Sequence, residues 1–176
     1  MKPEQHVQPM AIVSQDGEPF AFGGVGGLLK LGGADTGGRF AVAILPDIAP
    51  KTLGAPLHCH RNEDEYTYVL GGTLGALVGG EVVTAGPGTW IVKPRGQWHT
   101  FWNAGARPLS LIEIVSPAGF ERYFREVAAS GGHPAEIARI NARYSIEMDL
   151  EGVPALCQRL GLALPAMPAM PAMPAR

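Results

Sequence analysis

The sequence predicts a mainly β fold, a sandwich or barrel of short strands with a small helical annex at its C-terminal end. Glycine makes up 24 of the 176 residues, about twice its usual share, and it separates short apolar runs. Through residue 116 these runs are rich in β-branched and aromatic residues, and helical spacing begins only after that point. Short strands at regular spacing are typical of sandwiches and barrels.

Each predicted strand is a short apolar run bounded by turn-forming residues. The connecting stretches, among them TAGPG and PRGQ, contain the glycine and proline that favour turns. The predicted strands span residues 39–45, 65–70, 74–79, 89–94, 99–103 and 109–115.

Three helices are predicted after the last strand. The segment SPAGFERYFREVAASGG (116–132) starts with serine and proline, has its aromatic residues at helical spacing and ends in two glycines. Residues 134–144 place Ile137, Ile140 and Tyr144 on one face, and residues 153–161 end at Gly161. About forty-five residues cannot bury much surface alone, so we expect these helices to pack on the barrel.

The chain is therefore expected to form one domain with short extensions. We predict an N-terminal arm over residues 1–19, the barrel over 20–116, the helices over 117–161 and a tail over 162–176. The tail repeats Pro-Ala-Met, and its prolines cannot continue a helix or a sheet ladder, which predicts an unstructured segment.

Composition and charge argue against several classes of partner. The net charge is −2 and no cluster of Lys and Arg occurs, so we expect no nucleic-acid partner. No apolar run is long enough to cross a bilayer, the first ten residues lack an apolar leader, and two cysteines are too few for a disulfide framework. We therefore expect a cytoplasmic protein without a membrane partner.

The stretch PLHCHRNEDEYTYVLGG (56–72) contains the first candidate site residues. On a β-strand alternate side chains share a face, so His58 and His60 point together to one side. A turn follows, and Glu65 opens the next strand, which we expect to hydrogen-bond to the strand of the two histidines. Within this turn, Glu63 and Asp64 are expected to be solvated, or to orient a ligand imidazole.

A third histidine, His99, follows the turn PRGQ and is expected to come from across the barrel. Three neutral imidazoles and one carboxylate form a ligand set for one divalent transition metal ion, which could be Fe, Mn, Ni, Co, Cu or Zn. Alternation also points Thr67 and Phe101 inward, so we predict that both line a substrate pocket.

These two stretches resemble the paired motifs of the cupin superfamily. The first motif is His-x-His, four residues, Glu, six residues, Gly; the second is Gly, five residues, Pro-x-Gly, two residues, His, three residues, Asn. The matching residues here are His58, His60, Glu65 and Gly72, then Gly88, Pro94, Gly96, His99 and Asn103. The resemblance implies a cupin jelly-roll β-barrel.

A narrower resemblance covers about residues 20 to 145. Segments such as HRNEDEYTYVLGG and PRGQWHTFWNAGARPLSLIEIVSPAGFERYF are similar to single-domain, quercetin 2,3-dioxygenase-like bacterial cupins. That resemblance implies a metal-bound substrate oxygen, attack by dioxygen and a Glu65 that both binds metal and removes the substrate's proton. Gly71 stands where the group usually has an acidic residue, and Thr67 stands where it often has phenylalanine.

Three classes of function remain open at this point. The first is a dioxygenase acting on a small phenolic or enol substrate, flavonol-like in character. The second is a metal-assisted isomerase, decarboxylase or cyclase that uses no dioxygen. The third is a small-molecule-binding protein without turnover. Because jelly-roll cupins often pair their outer strands, we also expect a homodimer.

Overall fold

The computed structural model describes residues 10–13, 15–22 and 25–164. Most of the predicted N-terminal arm and the Pro-Ala-Met repeat from residue 165 onward lie outside the described residues. Within that described part, the strands are β1 Glu18–Phe22, β2 Val25–Leu31, β3 Ala41–Ile48, β4 Leu57–His60, β5 Asp64–Gly71, β6 Leu74–Val78, β7 Glu81–Ala85, β8 Trp90–Lys93, β9 His99–Asn103, β10 Leu109–Ser116 and β11 Ile146–Asp149. The helices are α1 Gly33–Thr36, α2 Glu121–Ala129, α3 Pro134–Tyr144 and α4 Val153–Leu160.

The strands form two antiparallel sheets. The six-stranded sheet has the order β1-β2-β3-β10-β5-β8, and the five-stranded sheet has the order β11-β4-β9-β6-β7. Apolar side chains from both sheets interleave between them, among them Leu45, Val69, Leu74, Phe101 and Leu111. The mainly β fold with a few C-terminal helices is therefore confirmed.

The predicted strands all correspond to strands of the structure, whereas β1, β2, β7 and β11 were not predicted. The second predicted helix has the bounds of α3, and the third ends as expected at Gly161, whose φ is 65°. The first begins later than predicted, at Glu121. Strand β11 follows α3 and pairs with β4, so the C-terminal segment also contributes to a sheet.

The expected pairing between the strands of His60 and Glu65 is wrong. Strand β4 pairs with β9 and β11, whereas β5 pairs with β10 and β8 in the other sheet. Residues 61–63 form a short loop that leads from β4 in the five-stranded sheet to β5 in the six-stranded sheet. The two strands face each other and are not hydrogen-bonded to each other. The consequence is that Glu65 faces the histidines across the core.

The helices cover two parts of the five-stranded sheet. Helix α4 buries Val153, Leu156 and Cys157 against Leu77 and Trp102 on the outside of that sheet. A second cluster is formed by α2, α3 and β11 through Phe120, Tyr123, Ile140 and Ile146. None of the helices in the described residues is long and apolar enough to cross a membrane.

The outer side of the six-stranded sheet is apolar. Cross-strand neighbours there include Tyr68 with Trp90 and Ile112, and Tyr66 with Val92 and Ile114. We call this surface the outer apolar face; its members are half-buried or exposed and comprise Val42, Ile44, Tyr66, Tyr68, Leu70, Trp90, Val92, Ile112 and Ile114. An antiparallel sheet facing water on one side usually carries polar residues there, so this face is unusual for a solvated surface.

Gly54 allows the ring of Phe101 to pack against the backbone. Its N–H donates to the Phe101 carbonyl over 2.8 Å, and a Cβ at this position would lie far inside contact distance of three ring carbons. Since Phe101 is buried between the sheets, the ring has little room to move away. A side chain at residue 54 would therefore overpack this part of the core.

We expect Gly54→Ala to lower the free energy of unfolding by about 1–3 kcal/mol, the usual cost of overpacking a core. Gly86→Ala is the matched control, because a Cβ there would meet nothing within 4 Å. Urea unfolding of the two variants beside the parent protein measures the difference. Equal stability of the two variants would show that the Phe101 ring can move aside to admit the added methyl group.

Candidate metal centre

Four side chains converge between the two sheets. His58 and His60 extend from β4, and His99 extends from β9, directly opposite His58 in the ladder. Glu65 extends from β5 in the facing sheet. The expectation that His99 comes from across the barrel is therefore wrong, because His99 lies on the neighbouring strand and Glu65 is the residue that crosses.

The ligating atoms of these four residues all lie within 4.8 Å of one another, and all four residues are buried. The Nε2 of His60 is 3.0 Å from Oε1 of Glu65, and the Nε2 of His99 is 3.1 Å from Oε2. The rings of His58 and His99 are 4.3 Å apart between centroids. We call these four residues the metal-ligand group.

Backbone carbonyls orient two of the imidazoles. The Nδ1 of His58 lies 2.7 Å from the Pro56 carbonyl, and the Nδ1 of His99 lies 2.9 Å from the Gln97 carbonyl. Because a carbonyl can only accept, each Nδ1 carries a proton, and the Nε2 of each ring is the nitrogen left to bind a metal at the centre of the group. This is the usual arrangement of histidines that bind metal.

His60 is oriented by a carboxylate instead. Its Nδ1 lies 3.5 Å from Oε2 of Glu63, which is itself buried. Glu63 therefore contacts a ligand imidazole, the second of the two roles expected for it. Asp64 does not contact this group; it accepts hydrogen bonds from the backbone and guanidinium of Arg95.

The surroundings shift the pKa values of His58 and His60 in opposite directions. Burial, together with the neighbouring His99 imidazole, lowers the pKa of His58 to about 3. Burial also opposes protonation of His60, but the Glu65 and Glu63 carboxylates outweigh it and raise the pKa of His60 to about 9. Metal binding near neutral pH must therefore displace a proton from His60, whereas His58 is already neutral.

A buried lysine links the metal-ligand group to a second carboxylate. The Nζ of Lys93 lies 2.6 Å from Oε2 of Glu65 and 2.8 Å from Oε1 of Glu113, and the lysine side chain is 1% exposed. Burial alone would raise the pKa of Glu65. The charges of Lys93 and His60 outweigh that effect and hold the pKa of Glu65 well below its ordinary range. Burial raises the pKa of Glu113, although Lys93 opposes that shift.

The donor set and its spacing fit a divalent transition metal. Bond lengths of about 2.0–2.2 Å allow ligand atoms up to roughly 4.4 Å apart, so the group needs to contract by only a few tenths of an ångström. Three imidazoles, once neutral, and one carboxylate suit Fe, Mn, Ni, Co, Cu or Zn. The geometry does not favour one of these metals over the others.

A cavity of about 90 Å³ that opens to solvent adjoins the metal-ligand group. His58, His60 and Glu65 lie in its wall, and most of the remaining wall is apolar. Aromatic rings come from Phe20 of β1, Phe101 of β9, and Phe120, Tyr123 and Phe124 in and just before α2. The helical segment thus closes one side of the space beside the ligands.

The two predicted pocket residues are placed differently. Phe101 lies in the cavity wall. Thr67 points inward and is buried, but it is not among the residues of that wall; its hydroxyl lies 2.9–3.0 Å from the two oxygens of Glu113. Thr67 therefore reaches the cavity only through Glu113.

The comparisons with known proteins agree with this geometry. Residues 45–115, which include all four members of the metal-ligand group, match the family model of the cupin domain. The matched residues are about two fifths of the chain. The metal-ligand group thus lies inside the matched residues, while α2 and β11, which contribute to the cavity wall, lie outside them.

One curated relative aligns with part of the chain. The protein named oxidoreductase iacF from Pestalotiopsis fici is 36% identical over 74 residues, which is 42% of this chain. The match spans about a third of that protein's length, 35%.

Solved structures share the fold at low sequence identity. KdgF from Halomonas sp. superposes with a TM-score of 0.55 at 16% identity, covering 65% of this chain and 98% of KdgF. Pac13 is described as a nucleoside dehydratase and was also solved as a Streptomyces variant with uridine. It superposes with a TM-score of 0.51 at 14% identity, covering 65% of this chain and 88% of Pac13. These likenesses show the jelly-roll fold alone.

Lys93 and Glu113 were missed by the sequence analysis. Both occupy inward positions of apolar strands, Lys93 beside Ile91 in TWIVKP and Glu113 beside Leu111 and Val115 in LSLIEIV. A lone charge at an inward position of an apolar strand is the signal that could have identified them, because such a charge needs a buried partner.

Proposed function

We propose that this chain is a metal-dependent dioxygenase that acts on a small phenolic or enol substrate. The observation that supports this most is the position of the metal-ligand group in the wall of an apolar cavity with aromatic sides. An aromatic or conjugated substrate is complementary to such walls, and an ionisable oxygen on it is complementary to the ligand group.

Each protein group has a defined part in this proposal. Phe101 and Phe120 flank the space in which the substrate ring lies, and the apolar wall excludes water from it. Glu65 is the carboxylate nearest to an oxygen that approaches the imidazoles, so it is placed to accept the substrate's proton. A divalent metal, when bound, supplies the Lewis acidity that makes that proton easier to remove.

Two likenesses support oxygen chemistry over the other classes. The segments around His58 and His99 resemble quercetin 2,3-dioxygenase-like cupins, and the aligned curated relative carries the name oxidoreductase. A metal-assisted isomerase, decarboxylase or cyclase has the same ligand requirements and differs in consuming no dioxygen. Oxygen consumption therefore separates the two classes.

The test is oxygen uptake by protein loaded separately with each of the six metals, against a panel of phenols, enols and flavonols. We expect uptake that depends on metal and on at least one member of the panel. Glu65→Gln keeps the shape of the side chain and removes most of its proton affinity, so uptake should fall at least tenfold, by about 1.4 kcal/mol of transition-state stabilisation or more. Glu136→Gln, an exposed change on α3, is the control.

No uptake with any metal would reject the dioxygenase proposal in favour of the class without dioxygen. If Glu65→Gln retains both its metal and its full rate, Glu65 is a ligand and a different group accepts the proton.

We also propose that two copies of the chain pair through the outer apolar face. A contiguous apolar sheet face that includes the half-exposed Trp90 and Val92 is the kind of surface that homodimers bury. Pairing of two such faces would remove these rings from water.

Val92→Glu is expected to convert the dimer to a monomer, because it places a charge within the outer apolar face. Val82→Glu on β7 is the matched control: Val82 is 56% exposed and Val92 is 53% exposed, but Val82 lies on the other sheet. Sedimentation velocity of both variants measures the outcome. A monomeric parent protein, or a dimer in the Val92 variant, would refute pairing through this face.

A further inference from the structure

Glu113 places a second carboxylate in the wall of the cavity, apart from the metal-ligand group. It extends inward from β10, and its side chain is 12% exposed. Lys93 lies 2.8 Å from Oε1, and the Thr67 hydroxyl lies 3.0 Å from Oε1 and 2.9 Å from Oε2. These contacts fix the carboxylate in one orientation.

The carboxylate retains capacity to accept a hydrogen bond. Thr67 has one hydroxyl proton, so it can donate to only one of the two oxygens at a time. The ammonium of Lys93 is 2.8 Å from Oε1, and a carboxylate has about four lone-pair positions in all. Oε2 has about two lone-pair positions and Thr67 can occupy only one of them, so Oε2 can accept from a molecule in the cavity.

Few other side chains of the cavity wall can accept a hydrogen bond from a molecule in the cavity. Among the described wall residues, the other polar side chains are His58, His60 and Glu65 of the metal-ligand group and Tyr123, whose hydroxyl donates to Asn141 over 2.8 Å. The remaining wall is aliphatic or aromatic. A carboxylate in such a wall loses water when a ligand enters, and only a hydrogen-bond donor on the ligand compensates for that loss.

We infer that Glu113 is a substrate-binding residue that selects ligands carrying a hydroxyl group in addition to the oxygen taken by the metal-ligand group. The substrate class is thereby narrowed to phenols or enols with two oxygen functions, one that meets the metal-ligand group and one that meets Glu113 from the cavity. Lys93 joins the two carboxylates and so sets their relative positions. This inference rests on the proposed function, because it assumes that one oxygen meets the metal-ligand group.

The experiment measures binding without turnover, using protein loaded with zinc at pH 8. The probes are phenol, the three dihydroxybenzenes and the three monofluorophenols; fluorine is small like a hydroxyl but cannot donate a hydrogen bond. Isothermal titration calorimetry should show at least one dihydroxybenzene binding about tenfold more tightly than phenol and than its fluorophenol counterpart, as expected for a hydrogen bond to a charged acceptor.

Glu113→Gln should reduce this preference to within about threefold, because an amide nitrogen at the position of Oε2 donates and no longer accepts. It keeps an oxygen for Lys93, so the fold is expected to remain intact. Thr67→Val is a second variant, which keeps Glu113 but removes the hydrogen bond that orients it, and it should lower the preference in part. Glu136→Gln should leave the preference unchanged.

The outcomes separate the two proposals. The role of Glu113 is refuted if phenol binds and no dihydroxybenzene binds more tightly than phenol. It is also refuted if Glu113→Gln keeps the full preference for the dihydroxybenzene. In both cases a phenolic substrate remains supported. If none of the probes binds to the zinc-loaded protein, the phenolic substrate itself is refuted and the inference falls with it.

Discussion

Replacing both His58 and His99 by alanine is expected to reduce bound metal from about one ion per chain to less than about a tenth of an ion. These two side chains lie opposite each other on β4 and β9 and supply half of the four ligating atoms. Their loss leaves His60 and Glu65, which are too few ligands to hold a divalent ion against water. Elemental analysis after purification without added metal measures the change.

The double variant should still fold, because Glu65 keeps its ion pair with Lys93 when the two imidazoles are removed. Circular dichroism checks this. The control is His133→Ala, which removes an exposed imidazole next to α3. Full metal content in the double variant would contradict the assignment of the metal-ligand group.

Replacing Lys93 by methionine is expected to lower the free energy of unfolding of the metal-free protein by about 3–5 kcal/mol, the usual cost of breaking a buried ion pair. Methionine matches the length of the side chain but leaves Glu65 and Glu113 without the ammonium that lies between them. Two buried carboxylates then lose their shared counter-charge. Denaturant unfolding measures the loss.

The double change Lys93→Met with Glu113→Gln should recover part of that stability, since it removes one of the two uncompensated carboxylates. Lys51→Met is the matched control, because Lys51 is exposed. A loss of less than about 1 kcal/mol for Lys93→Met would show that water or protonation of Glu113 compensates for the missing ammonium.

Most strands that contribute to the core could be predicted from local sequence, whereas strands such as β7 and β11 could not. Residues 99–103 and 109–115 are apolar and bounded by turn residues, so their strand character is visible in the sequence. Strand β7 is exposed along most of its length, and β11 is a short polar segment between two helices. Their pairing depends on neighbours distant in the chain, which local propensity does not report.

The metal-ligand group could be predicted by residue, but its arrangement could not. The spacing of His58 and His60 fixes their common face on a strand, which is a local property. Whether Glu65 lies beside them or opposite them depends on whether the loop at 61–63 forms a hairpin or crosses between sheets. The sequence RNED is compatible with both, and the structure shows the crossing.

The position of Thr67 also has a physical explanation in the structure. Quercetin 2,3-dioxygenase-like cupins, which this segment resembles, often have phenylalanine there. The threonine hydroxyl instead contacts Glu113, a bond that phenylalanine could not make. The departure at residue 67 and the buried carboxylate at residue 113 therefore belong together, a relation that only the register of β5 and β10 reveals.

Anomalous diffraction from a crystal of protein purified without added metal, measured at the absorption edge of whichever metal elemental analysis identifies, tests the metal-ligand group most directly. The expected result is one strong peak about 2.0–2.3 Å from the Nε2 atoms of the three histidines and from a carboxylate oxygen of Glu65. A crystal with no peak at this position, in which Glu65 keeps its contacts to His60, His99 and Lys93 while metal is bound elsewhere on the chain, would contradict a metal centre built from these four residues.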